Sequence, residues 1–118
     1  MNPLELKERT KAFALRVIRA VESLPRSRTA EVIARQLLRS GTSVGANYRA
    51  ACRARSKADF IAKMSIVLEE ADESVYWMEL LVQAGLVSQR RIASLLDEAN
   101  QLVAIAVSSI NTARKRRF

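Results

Sequence analysis

The residues of this sequence that could carry chemistry are cations near the middle of the chain. Arg49, Arg53 and Lys57 recur at four-residue spacing, which places them on one face of a helix, and Arg55 lies between them. Such side chains contact phosphate groups without reading base sequence. We therefore predict a surface for polyanions, RNA or DNA, at Arg49, Arg53, Arg55 and Lys57.

A second cluster of cations lies near the end of the chain, at Arg114, Lys115, Arg116 and Arg117. We expect it to be frayed and to contact phosphates as well. The aromatic content of 5% offers no evident platform for stacking bases, which weakens an interpretation as a single-strand-binding protein. The alternative is a scaffold protein with a protein partner, in which the cations serve contacts between subunits.

Acidic residues form the only other cluster that could support chemistry, at Glu69, Glu70, Asp72, Glu73 and Glu79. Carboxylates on one helix face could hold Mg²⁺ or Mn²⁺. A structural role is the favoured interpretation, with one or two acids turned inward toward Arg35, Arg39 or Arg49 and the others solvated. We predict no metal site, and an internal polar set of Arg39, Ser43, Asn47, Glu70 and Glu73.

Enzymatic chemistry has little support in the composition. The sequence contains no histidine, which excludes Ser-His-Asp and Cys-His nucleophile systems and the Glu-x-x-His motif of di-iron bundles. Cys52 is the only cysteine, and we expect it to be a small buried or half-buried residue. We predict a protein that is not an enzyme and has no cofactor and no small-molecule substrate.

The bulk properties indicate one domain, residues 1–118, with a core of ordinary hydrophobic content (49%). A lone cysteine, no signal-peptide pattern and no apolar run of about 20 residues predict a cytoplasmic protein without a membrane partner. The net charge of +8 is uneven. Residues 1–58 hold 13 cations against four acids, whereas residues 59–113 hold three against eight. Such a chain could bind polyanions, pair opposite faces between subunits, or do both.

Helix signals dominate the chain. Asn2, Ser27, Ser56 and Ser88 are N-cap candidates, and each precedes an apolar stripe with helical spacing. Gly85 fits a C-terminal stop. We predict helices over about 3–24, 28–54, 57–84 and 88–114. Because the connections are short, we predict an all-α, antiparallel up-down-up-down four-helix bundle.

Two features are left over after the core is assigned. The third and fourth helices carry apolar residues outside the main stripe, which indicate either a wide stripe or, as we favour, a subunit interface. Gly41 and Gly45 lie within a helix, where glycine costs about 1 kcal/mol relative to alanine. They indicate a close helix approach, a kink, or backbone exposed to a partner.

Four segments resemble a known family. They are Arg9-Thr10 with Phe13, QLLRSGTSVGANYRAACRARSKADFIAK (36–63), EADESVYWMELL (70–81) and SINTARKR (109–116). Together they resemble the 23S ribosomal RNA intervening-sequence proteins, also called four-helix bundle proteins. The family pattern often has an acid near Ala50, and its absence makes the local surface of this chain more basic.

The resemblance implies an antiparallel four-helix bundle that assembles into a ring-shaped homopentamer. Some members are encoded within intervening sequences of large-subunit ribosomal RNA genes, and a distant relative is the basic accessory protein of diversity-generating retroelements, which works with RNA. The family has no established catalytic residues to transfer. A ring fits the charge pattern, because each of its interfaces joins two different faces of the subunit.

Overall fold

Four helices make up most of the protein in the computed structural model, which describes residues 1–116. The helices are α1 (Pro3–Glu22), α2 (Arg28–Cys52), α3 (Lys57–Gln83) and α4 (Gln89–Lys115). No strand occurs within the described residues, which confirms the predicted all-α class. The molecule is a rod with principal-axis extents of 50 × 20 × 20 Å.

Each helix begins at a polar side chain that accepts a hydrogen bond from its first turn. Asn2 Oδ1 accepts from the backbone N–H of Glu5 at 2.9 Å, and its amide donates back to the Glu5 carboxylate. Ser27, Ser56 and Ser88 accept from the third residue after them. These bonds satisfy backbone N–H groups that the helix itself leaves free, which is why the helices begin at these positions.

The helix ends differ from the predicted bounds by one or two residues. α1 and α2 end two residues early because their last turns tighten: the N–H of Leu24 bonds to Val21 O, and that of Ala54 bonds to Ala51 O. α3 ends at Gln83 with Ala84 as its C-cap, and Gly85 follows with a φ of 74°, which only glycine adopts readily. The N–H of Leu86 then bonds back to Leu81 O, which completes a Schellman motif.

One apolar core runs the length of the rod. α2 packs against α1 and α3, and α4 packs against α3 and α1, so the helices form a four-helix bundle. The largest fully buried side chains belong to Phe13, Leu37, Met64, Met78 and Leu81. The core also contains one buried polar pair, in which the hydroxyl oxygens of Ser40 (α2) and Ser74 (α3) lie 2.9 Å apart.

The two helical glycines bring α1 and α2 together. A Cβ atom at Gly41 would lie 2.8 Å from both methyl carbons of Val17, and one at Gly45 would lie 3.1 Å from the Thr10 hydroxyl oxygen. Of the alternatives for these glycines, the structure therefore favours the close helix approach. The buried Thr10 hydroxyl does not need a partner from α2, since it donates to Leu6 O within its own helix.

Candidate nucleic-acid interface

The last turn of α2 and the connection that follows it carry three of the predicted phosphate-binding residues. Arg49 lies in the last turn of α2, Arg53 is its C-cap and Arg55 follows in the turn. All three side chains are exposed. The turn is fixed by Asp59, whose carboxylate accepts from the N–H of Arg55 at 3.3 Å and from Lys63 Nζ at 2.8 Å. These bonds, the one from Lys63 above all, lower the pKa of Asp59.

Lys57 joins this connection to the end of the chain. Its Nζ donates to the backbone oxygens of Arg114 (3.0 Å) and Arg116 (2.7 Å) at the C-terminus of α4. The last carbonyl groups of a helix have no partner within the helix and carry its negative dipole end, so an ammonium group stabilises them. Lys57 is therefore occupied with backbone, a role that its spacing from Arg53 does not predict.

The bonds from Lys57 show that the predicted cations of both clusters lie at the same end of the rod. We call this surface the basic end, and it consists of Arg49, Arg53, Arg55, Lys57, Arg114, Lys115 and Arg116. Arg117, which was predicted to belong to it, lies outside the described residues. The chain was expected to fray from Arg114, yet α4 continues to Lys115 because its end is held by Lys57.

Part of the charge at the basic end has a structural use. α2 and α4 both end there, and Arg49, Arg114 and Lys115 lie in their last turns, where cations complement the helix dipole. The exposed guanidinium groups of Arg53 and Arg55 lie beyond the end of α2. Arg53 and Arg55 are therefore the residues on which a test of phosphate binding should concentrate.

The acidic cluster lies at the middle of the rod and pairs with one arginine. Arg39 on α2 donates to Glu70 at 3.1 Å and to Glu73 at 2.6 Å on α3. These bonds raise the pKa of Arg39, and the bond to Glu73 makes the largest contribution. Arg39 is predicted from the sequence to be internal, whereas its side chain is 50% exposed in the structure. The ion pairs therefore lie on the surface, across the contact between α2 and α3. The long arginine side chain reaches them along the surface of the bundle.

The two uncharged polar residues of the same predicted set bond to their own helix. Ser43 donates to Arg39 O at 2.6 Å, and Asn47 donates to Ser43 O at 2.8 Å. Neither contributes a bond to the acids in the structure. No group of three possible metal-binding side chains lies together within residues 1–116.

Two further placements were not anticipated. Cys52 was expected to be buried or half-buried, but it is exposed at the last residue of α2. Arg9 makes paired bonds of 2.7 Å to Glu98, which connect α1 to α4. Sequence spacing gives no indication of this pair, because its members lie 89 positions apart.

The known proteins similar to this chain agree with the helical architecture. The family model of the 23S rRNA-intervening sequence protein matches residues 2–108. The chain belongs to this family. A crystal structure of an S23 ribosomal protein family member of unknown function, from Bacteroides thetaiotaomicron, is similar at a TM-score of 0.82 and 36% identity. The match covers 88% of this chain and 96% of that one. No curated protein matches the chain.

The membership confirms the resemblance that the sequence motifs carry, and it does not identify an activity, since the similar structure has no known function. Helix length and composition add one constraint. None of the helices within the described part of the chain is long and apolar enough to cross a membrane.

Proposed function

We propose that this protein is a non-enzymatic, oligomeric protein that binds RNA or DNA through its basic end. The observation that carries this proposal is the pair of bonds from Lys57 to the backbone of Arg114 and Arg116. These bonds bring the cations at the C-terminus of α4 next to those of the α2–α3 connection. Two clusters that are far apart in sequence would then act as one surface. Such a surface binds phosphates by releasing counterions, with little preference for base sequence.

Up-down-up-down topology and ring assembly are parts of the same proposal. Two sets of contacts support the topology: Val17 and Thr10 of α1 face Gly41 and Gly45 of α2, and Arg9 and Arg16 bond to Glu98 and Ser94 of α4. In each pair of helices the residue numbers run in opposite directions. The family resemblance favours a homopentamer, and a ring would present five copies of the basic end, which raises the affinity of a weak site by avidity.

The cellular location and the lack of catalysis are also proposals. A single cysteine fits a reducing cytoplasm, where structural disulfides are rare. The sequence has no histidine, the most frequent acid–base residue of enzymes. The acids that could have formed a metal site are instead engaged in part by Arg39.

A filter-binding titration with mixed-sequence RNA and DNA at several salt concentrations tests phosphate binding. We expect the affinity to fall steeply as salt rises, with a smaller slope for the variant Arg53→Gln/Arg55→Gln, because two phosphate contacts account for about 2 in the logarithmic slope. The matched control is Arg19→Gln/Arg90→Gln, which removes two exposed arginines outside the basic end. Absence of binding at about 50 mM salt, or an affinity indifferent to salt, rejects the proposal.

A scaffold protein with a protein partner is the second candidate, favoured by the cations that complement the dipoles of α2 and α4. In that case the basic residues serve contacts between subunits. Charge reversal at Arg49 and Arg53 should then dissociate the oligomer, as measured by light scattering. An intact oligomer that has lost nucleic-acid binding would decide against the scaffold and for the nucleic-acid surface.

A further inference from the structure

The outer face of α3 carries a second stripe with heptad spacing, besides the one in the core. We call it the α3 ridge, and it consists of Ile66, Glu69, Glu73, Tyr76 and Leu80. Ile66 is 40% exposed and Tyr76 is 53% exposed. Intervals of three and four residues are typical of a helix that packs against further helices along its length. α3 therefore has apolar residues on two faces, of which this chain covers one.

One exposed side chain of the ridge, Tyr76, packs against a neighbouring ring. The ring of Tyr76 packs edge-on against that of Trp77, with centroids 5.0 Å apart and planes at 69°. Trp77 in turn packs against the core. A large exposed side chain that is already held in place loses little freedom on binding, which favours its use in an interface.

A complementary apolar surface lies between α1 and α2. Leu15 (47% exposed) and Ile18 (38%) lie on α1, and Leu38 (36%) lies one turn before Gly41, on the side of α2 that faces α1. Lys11 on α1 and Arg35 on α2 are exposed at three- and four-residue intervals from these apolar residues. We call this surface the α1–α2 groove, and it consists of Lys11, Leu15, Ile18, Arg35 and Leu38.

The ridge carries acids and the groove carries cations, although exposed Glu22 and Glu31 also border the groove at four-residue intervals from Ile18 and Arg35. The ridge contributes Glu69 and Glu73, while the groove contributes Lys11 and Arg35. Arg39 neutralises Glu73 within the same chain, which leaves Glu69 as the acid of the ridge without an ion-pair partner among the described residues. Opposite charges around matching apolar patches select one partner surface over others.

The two surfaces also lie at the same height along the rod. Leu38 is two residues from Ser40 and Tyr76 is two residues from Ser74, which is about 3 Å along each helix axis. The hydroxyls of Ser40 and Ser74 are paired, so Leu38 and Tyr76 lie at the same level. Ile18 is next to Val17, which meets Gly41 at that level. Toward the basic end, Thr10 and Val67 line the same small cavity, and Lys11 and Glu69 lie within two residues of them. Equal height matters because copies related by a rotation axis parallel to the rods are not shifted along it.

We infer that the α3 ridge of one copy docks in the α1–α2 groove of the next copy of this chain. This inference rests on the oligomer of the proposed function and names the two surfaces that would form it. Because the ridge and the groove are different surfaces, each copy has one of each to offer, and the contact is heterologous. The basic end contributes no residue to either surface and remains free for phosphates.

A mixing experiment tests this pairing. The ridge variant is Ile66→Arg/Tyr76→Arg and the groove variant is Leu15→Arg/Leu38→Arg, with masses measured by sedimentation and helicity by circular dichroism. Each variant alone should be a folded monomer. Mixed in equal amounts they should form a one-to-one dimer, since the intact groove of one accepts the intact ridge of the other. The matched control is Val32→Arg/Val107→Arg, at two exposed apolar positions outside both surfaces, which should keep the mass of the wild type.

Charge reversal supplies a milder test in case the arginine variants do not fold. Lys11→Glu or Glu69→Lys alone should weaken assembly about tenfold or more, and the two substitutions combined in one chain should restore it. Variants that keep the wild-type mass, or a mixture that stays monomeric, overturn the inference. A wild-type chain that is itself monomeric instead refutes the oligomer of the proposed function, so the two failures are distinguishable.

Discussion

At the scale of single residues, Gly41 is the helical glycine with the least space for a side chain, because it faces Val17. We expect Gly41→Ala to destabilise the protein by about 1–3 kcal/mol, even though alanine is the better helix former, because its Cβ would overlap both Val17 methyl groups. Urea denaturation monitored by circular dichroism measures the change. Gly45→Ala is the matched control and should cost less, since its nearest neighbour lies at 3.1 Å instead of 2.8 Å.

The same pair offers a reciprocal check. Val17→Ala makes room at Gly41, so Gly41→Ala should be less harmful in that background than in the wild type, and a double-mutant cycle would give a favourable coupling. Equal costs in both backgrounds would show that the glycine has another role. Sequence could identify these glycines as unusual for a helix, but it could not tell which neighbour approaches them, because Val17 lies on a different helix.

At the scale of helices, α4 depends on α3 for its C-terminal end. Lys57→Gln removes the ammonium group that the carbonyls of Arg114 and Arg116 accept from. We expect backbone amides from Ala113 onward to exchange with solvent faster in this variant, because the last turn of α4 opens more often. Hydrogen exchange followed by mass spectrometry measures this.

Lys63→Gln is the matched control for that experiment. It removes a lysine from the same helix, one that bonds to Asp59 and not to α4. Its α4 amides should exchange as in the wild type. Equal acceleration in both variants would mean that Lys57 acts through the stability of α3 and not through its contact with the end of α4.

The helices themselves were well indicated by local chemistry. Asn2, Ser27, Ser56 and Ser88 cap the four helices at the positions expected, because capping involves residues three apart. Features that depend on distant residues were not accessible in this way. The backbone role of Lys57 requires two segments that are 57 positions apart to meet, and the exposure of Cys52 depends on which neighbouring elements reach the end of α2.

At the scale of the whole molecule, loss of assembly should leave the binding site of each copy intact and should weaken binding to long nucleic acids only. Because added arginines would themselves attract phosphates, this test uses an uncharged ridge variant, Ile66→Asn/Tyr76→Asn. We expect it to be monomeric and to bind a short oligonucleotide, which fits one basic end, as tightly as the wild type does. On a long nucleic acid it should bind about 100-fold more weakly, because it lacks the avidity of several linked sites. Titrations with the two lengths at one salt concentration measure both effects.

The matched control for this comparison is an uncharged groove variant, Leu15→Asn/Leu38→Asn, since it loses assembly through a different surface. It should behave like the uncharged ridge variant on both lengths. If the two variants bind long nucleic acid as tightly as the wild type, a single copy contains the whole binding site, and the oligomer has some other purpose.

The buried hydroxyl pair of Ser40 and Ser74 has a consequence for how α2 and α3 find their alignment. Besides the ion pairs of Arg39, their neighbours along the seam are apolar side chains, whose contacts are not directional. Sliding of one helix along the other would part the hydroxyls, yet each retains a carbonyl of its own helix, Leu37 O or Glu70 O, to donate to. The hydrogen bond between the two hydroxyls thus stabilises the correct alignment, while a wrong alignment leaves neither hydroxyl without an acceptor. We expect a misaligned chain to be able to realign during folding.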